Sequence, residues 1–346
     1  MMVSLLSGCK KADSHSEMVA EKLNTPWAMA LSDDGSIYFT EREGVLRVIR
    51  NGKLQSEPML TLDPPFISQG EGGLMGIALD PDFSDNHYIY VKYTYSDDSN
   101  IYNRVVRLIE NNNIATTDKI IIDKIPGGQT HNGGRIKVGP DNKLYIATGD
   151  AGSPQLAQDK TSLAGKILRI ELDGTIPSDN PFEGSPVYSL GHRNPQGLTW
   201  SSDGLLYASE HGQSAHDEIN LIKAGSNYGW PIVQGDEVSN DILSESPLIH
   251  SGKTTWAPSG ITFITEGHWK GKLLVTNLRG SQLLVVSLSE DGTSVTEVEP
   301  ILENTYGRLR EVVQGADGTI YISTSNRDGR GNPSPEDDRI LRIIPE

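Results

Sequence analysis

At 346 residues the chain is longer than an average single domain but within the range of barrels and propellers that fold as one unit. Asp and Glu outnumber Lys and Arg by 46 to 30, a net charge of −16, which argues against nucleic acid or an anionic membrane surface as partner. The single cysteine, Cys9, excludes an internal disulfide framework and a thiolate-rich metal site.

Leu6-Ser7-Gly8-Cys9 matches the bacterial lipobox, in which the cysteine is acylated and becomes the mature N-terminus. Residues 1–16 therefore read as a shortened lipoprotein leader with a polar, flexible tether, and residues 17–346 as one domain. The apolar stretch before Cys9 is shorter than a full signal peptide and carries no basic residue. No later apolar run approaches the roughly 18 residues of a spanning helix. The expectation is an extracytoplasmic, periplasmic protein whose one link to a membrane is lipid on Cys9.

One unit then recurs six times: a Gly- or Asp-containing turn, an apolar strand often centred on Tyr, a polar loop, and a second strand. It occupies residues 32–49, 80–110, 139–172, 201–222, 269–288 and 315–344. With Tyr38, Tyr90, Tyr145, Tyr207, Leu274 and Tyr321 taken as equivalent, the spacing runs from 47 to 67 residues, the range of a four-stranded propeller blade with loop insertions. Long helical periodicity is absent. The fold expected is all-β, a six-bladed β-propeller of four-stranded antiparallel blades. Each blade buries its faces only against its neighbours, so the ring must close. Residues 17–23 are expected to lend a strand to the blade that ends in residues 339–344.

Residues 69–76, Gln-Gly-Glu-Gly-Gly-Leu-Met-Gly, form a Gly-rich loop without the strand–helix context of a dinucleotide fingerprint. A second such loop, residues 127–135, carries His131, which can serve as a general base near neutral pH. Asp150, at the end of the next strand, can orient that imidazole, and Gln155 follows close behind. The stretch 191–230 holds Arg193-Asn194-Pro195 and a loop of ligand-type side chains: Glu210, His211, Gln213, His216, Asp217 and Glu218. Its oxygens suit calcium better than zinc, because no clustered His set is present. Trp230 reads as packing. Arg308 and Arg310 fall on one face of an extended strand. With Arg193 and Arg279 they form an anion-binding set suited to a polycarboxylate.

Together the motifs GLMGIALDPDF, THNGGRIKVGPD, TGDAG, GKILRIELDG, LGHRNPQGL, EHGQSAHDEINLI, SNYGWP and RLRE, in this order from about residue 24 onward, resemble the soluble quinoprotein glucose/sorbosone dehydrogenases, bacterial aldose sugar dehydrogenases in particular. The resemblance implies a six-bladed propeller that binds pyrroloquinoline quinone (PQQ) and Ca²⁺ at the channel mouth. It implies oxidation of an aldose at the anomeric carbon to the lactone, with hydride passing to the quinone and electrons to an unidentified acceptor. His131 would remove the proton from the anomeric hydroxyl, supported by Asp150. Glu71, Gln155, Arg193, Asn194, Arg279, Arg308 and Arg310 would contact the cofactor. Main-chain oxygens of Gly212 and Gln213 would hold Ca²⁺, and Glu218 with the Tyr228 carbonyl would match a second, structural Ca²⁺.

Three departures from the family's glucose dehydrogenases stand out. Glu71-Gly72-Gly73-Leu74 replaces Gln-Asn-Gly-Leu, Gln213 replaces Pro, and Arg279 aligns with a cofactor-facing lysine. A carboxylate at position 71 alters sugar preference, so the substrate is stated as aldoses. The alternatives are a calcium-dependent lactonase or other hydrolase on the same scaffold, and a non-catalytic surface lipoprotein that binds through its rim. A hydrolase has no need of the Arg308/Arg310 pair, and a binding module gives His131, Asp150 and the arginines no common purpose.

Overall fold

The structure, a computed structural model, describes residues 15–345; Cys9 and the lipobox lie outside the described residues. Six antiparallel sheets make up the chain. Their innermost strands are Pro26–Leu31, Leu74–Leu79, Ile136–Val138, Pro195–Trp200, Pro258–Phe263 and Leu309–Gln314. Each touches the innermost strand of the next sheet, and the last touches the first, so the six blades form a closed ring. The second strands, from Ile37–Glu41 round to Ile320–Thr324, carry the recurring Tyr and Leu residues of the repeat. Among the described residues helix is confined to Phe83–Asn86 and a 3-10 turn at Pro154–Ala157.

Closure follows the expected pairing. His15–Ala20 lies antiparallel to Ile340–Ile344, with His15 opposite Ile344 and Ala20 opposite Ile340. The strand starts within the stretch read as tether and stops short of residue 23. Beyond it Leu23 and Asp338 exchange main-chain hydrogen bonds of 2.9 and 3.0 Å. The first blade departs from four clean strands. Its outer position is split into Lys53–Leu54 and Leu60–Thr61, because Pro58 between them has no N–H to offer a ladder.

The cores lie between blades. Leu46, Val48, Leu74, Ile77, Val91 and Val106 pack between the first and second blades, and Ile136, Ile146, Leu168 and Val105 between the second and third. All of Leu144–Thr148 is buried, as expected of a strand covered on both faces. Each fully buried aliphatic side chain contributes about 1.5–3 kcal/mol, which offsets the absence of a central core.

In an antiparallel blade the entry to the innermost strand and the exit from the second strand lie at the same end. Each blade thus sends two loops to one rim. Five of the six innermost strands also slip register as they leave that rim: between Pro26 and Ala28, Leu74 and Ile77, Pro195 and Gly197, Pro258 and Ile261, and Leu309 and Glu311. Such bulges re-aim the extra residue. Three of the residues so displaced, Trp27, Gln196 and Arg310, line the cavity at the rim.

Candidate active site

The two Gly-rich loops bond to each other at that rim. Glu71 N–H donates to the Gln129 carbonyl at 2.9 Å, and His131 N–H donates to Glu71 Oε2 at 2.8 Å. His131 sits in the left-handed region at φ 57°, which a non-glycine residue holds only when its surroundings impose it. Gly149 helps impose it: a Cβ there would lie 1.9 Å from the His131 carbonyl oxygen, so the glycine of Thr148-Gly149-Asp150 is a close-approach position.

His131 Nδ1 lies 2.7 Å from Asp150 Oδ1. A carboxylate acceptor there places the ring proton on Nδ1 and leaves Nε2 with a lone pair. Asp150 is fully buried. Its Oδ1 also accepts the Gly152 N–H at 2.8 Å, and its Oδ2 accepts Trp230 Nε1–H at 2.8 Å. Trp230, read from sequence as packing, is therefore a hydrogen-bond donor to the residue that orients His131. Its ring also lies 5.3 Å from the Arg193 guanidinium.

Beside His131 open two adjoining cavities of about 270 and 120 Å³, which share Glu71, Asn194, His211, Leu278 and Arg330. Their walls carry six arginines (42, 193, 279, 308, 310 and 330) against three carboxylates, Glu71, Asp217 and Asp328. Arg42 Nε, Arg193 Nε, Arg310 Nε and His211 Nε2 are buried without a hydrogen-bond partner. Leaving such groups unmet costs about 1–3 kcal/mol each or more, so these walls are built for an acceptor-rich, anionic ligand. Burial pulls Arg310 down to about 9, which leaves it cationic at neutral pH. Burial likewise pulls His211 down to about 4 against the Asp217 and Glu71 charges, so this imidazole is neutral. Burial pushes the Glu71 carboxyl up, but the His131 N–H and Arg330, 2.8 Å away, more than reverse this and hold it below the usual value.

His131 and Arg308, remote in sequence, line the same cavity, together with Arg193, Asn194, Gly212, Gln213 and Arg279. Arg308 and Arg310 converge on Asp328 Oδ2, at 2.8 and 3.7 Å. The bulge, and not plain strand alternation as expected, turns Arg310 into the second cavity. Gln155 is exposed on the 3-10 turn and lines neither cavity.

The carboxylates of the 210–218 loop are used differently from the expected cation ligands. Glu210 accepts the Arg193 and Asn194 N–H groups and bonds His192 Nδ1 at 2.9 Å. Asp217 accepts Gly212 N–H, the Thr255 hydroxyl, and the Trp256 and Ala257 N–H groups, all within 2.9 Å. Both oxygens of Glu218 accept protein donors, Gly235 N–H and Asn220 Nδ2, and burial with the nearby Glu210 raises it to about 7. Tyr228 packs its ring on His192 at 4.7 Å. Among the described residues no group of three or more His, Cys, Asp or Glu could hold a metal ion. Gly212 and Gln213, expected to hold Ca²⁺ through main-chain oxygens, line the larger cavity.

Arg42, Asp328 and Arg330 were not anticipated. Each follows a second strand of the repeat, and that position was the available signal.

The sequence model described as Glucose / Sorbosone dehydrogenase matches residues 23–341. Quinoprotein glucose dehydrogenase B of Acinetobacter calcoaceticus is 34% identical over 318 residues, covering 80% of this chain and 66% of that protein. Aldose sugar dehydrogenase YliI of Escherichia coli is 33% identical over 341 residues, covering 90% of each. Among solved structures, the PQQ-bound form of an aldose sugar dehydrogenase from Streptomyces coelicolor superposes with a TM-score of 0.88 at 38% identity, over 97% of this chain and 99% of that one.

Proposed function

The chain belongs to the glucose/sorbosone dehydrogenase family, as a quinoprotein oxidoreductase acting on the CH–OH groups of sugars, and we propose that it oxidises aldoses at the anomeric carbon to the lactone with His131 as general base. The observation that carries this reading is the arrangement at one rim: a His131–Asp150 pair facing a cavity whose buried arginine nitrogens are unmet.

PQQ is a flat tricarboxylate, and the wall of Arg193, Arg308 and Arg310 with Asn194 fits it in charge and in donor supply. Bound there, PQQ would supply the two-electron acceptor for the sugar's hydride. Ca²⁺, held by main-chain oxygens of Gly212 and Gln213, would supply Lewis acidity. The protein's own part is proton handling and orientation. His131 Nε2 takes the proton of the anomeric hydroxyl. Asp150, fixed by Trp230 and the Gly152 N–H, holds the ring in the tautomer that can do so and stabilises the imidazolium that forms. Glu71, bridged to Arg330 at the mouth, offers a carboxylate to sugar hydroxyls.

The test mixes apoprotein with PQQ and CaCl₂ and follows dye reduction by several aldoses. Dye bleaching that needs both additions, and that stops on chelation of Ca²⁺, is the expected result. Lactone hydrolysis without PQQ, or no turnover of either kind, overturns the proposal.

We further place the protein in the periplasm, tethered through lipid on Cys9 and passing electrons to a separate acceptor; the lipobox sequence and the polar run behind it support this. Fatty-acid labelling of the expressed full chain that disappears in Cys9→Ser is the expected outcome. Equal labelling of both proteins removes the anchor.

A further inference from the structure

Lys92 lies in the second strand of the second blade, Tyr88–Asp97, and is completely buried. It makes no ion pair among the described residues. Its one hydrogen bond runs from Nζ to the carbonyl oxygen of Asn132, at 2.7 Å. An ammonium group buried without a counter-ion costs several kcal/mol, and here burial draws its pKa down to about 7. A methionine of similar length would fill the space without that cost, so stability does not account for the residue.

What Lys92 touches does. Asn132 directly follows His131, and its side chain clamps Gly128 in both directions: Nδ2 donates to the Gly128 carbonyl at 2.7 Å and Oδ1 accepts the Gly128 N–H at 3.1 Å. The same Oδ1 accepts Asn103 Nδ2 at 3.1 Å, and Asn103 Oδ1 accepts the Thr94 hydroxyl at 2.7 Å. Thr94 Oγ1 in turn accepts the N–H of Gly73, in the loop that carries Glu71, at 3.2 Å. The His131 main chain is thus held on its N–H side by Glu71 and on its carbonyl side, one peptide on, by Lys92.

We propose that Lys92 is a positioning residue for His131, clamping the Asn132 carbonyl so that the imidazole stays aimed between Asp150 and the cavity. The proposal rests on the reading of His131 as the base, but part of its test does not depend on turnover. In Lys92→Met, kcat for an aldose is expected to fall between about 10- and 100-fold, the effect of a displaced catalytic group. KM and the affinity for PQQ, titrated by fluorescence of the apoprotein, are expected to stay within about twofold, because no cofactor-facing side chain is disturbed. The deshielded Nδ1–H proton of His131, identified in NMR spectra by its loss in His131→Ala, should broaden or move upfield. Lys92→Gln retains a donor and should recover part of both kcat and that resonance. An unmoved resonance, or equal loss of PQQ affinity and kcat, overturns the proposal, as does failure of both variants to fold. If the wild type turns over no sugar but the resonance moves in Lys92→Met, the clamp stands and the dehydrogenase reading fails.

Discussion

His131→Ala should lower kcat by about 10²–10⁴-fold, the usual contribution of a positioned base, while PQQ still binds with nearly unchanged affinity. The separation follows from where the groups sit. Arg193, Asn194, Arg308 and Arg310, proposed to meet the cofactor's carboxylates, come from the fourth and sixth blades. The imidazole comes from the loop entering the third and is paired with Asp150. Removing the ring takes away a proton acceptor and none of the guanidinium donors. Single-turnover reduction of bound PQQ by an aldose, measured beside equilibrium titration, checks both halves. Lost cofactor binding with normal residual turnover would assign His131 to the cradle instead of the chemistry.

The second large effect concerns the ion pair packed behind Trp27 and Gln196, which line the smaller cavity. Arg135 and Glu311 are 2% and 1% exposed and form an ion pair inside the ring. Arg135 also donates from Nε to the Gln196 carbonyl at 2.9 Å and lies 4.7 Å from the Trp27 ring centroid. Arg310 approaches the same ring at 5.4 Å. Arg135→Met leaves Glu311 buried without its partner, a loss of about 3–5 kcal/mol, visible as a lower thermal or urea midpoint. Arg135→Met combined with Glu311→Leu should recover most of that loss, because neither member of the pair is left without the other. A double variant as unstable as the single one would show that the packing around these side chains matters and the pairing does not.

Much of the architecture was legible before any coordinates. The recurring Tyr and Leu residues marked the second strands because a strand covered on both faces needs large apolar side chains at fixed register. The blade count and the closing pair followed from that. His131, Asp150 and the arginines were legible through the resemblance their motifs carry, since a lone histidine in a turn or a pair of arginines on a strand has no distinctive meaning by itself; the structure brings His131 onto Asp150 and into one cavity with Arg308. Trp230 was not: its neighbours Tyr228 and Gly229 look like packing, and its role is a hydrogen bond to a residue 80 positions away. The bulges were invisible as well, since a slipped register leaves no mark in a run such as Leu309-Arg310-Glu311. Glu210 and Asp217 misled for a physical reason: a carboxylate that satisfies main-chain N–H groups has the same composition as one awaiting a cation.

The edge-to-edge seam between His15–Ala20 and Ile340–Ile344 also sets the order in which the site can come into being. Arg308 and Arg310 belong to the very blade whose outer margin is lent by the start of the chain. Until the last residues have been made and have met the first, that blade lacks a strand and two guanidinium groups of the cavity walls have no fixed address. Completion of the polypeptide and closure of the ring are thus one event, and a chain interrupted before its final strand leaves both His15–Ala20 and Ile320–Thr324 without the partner between them.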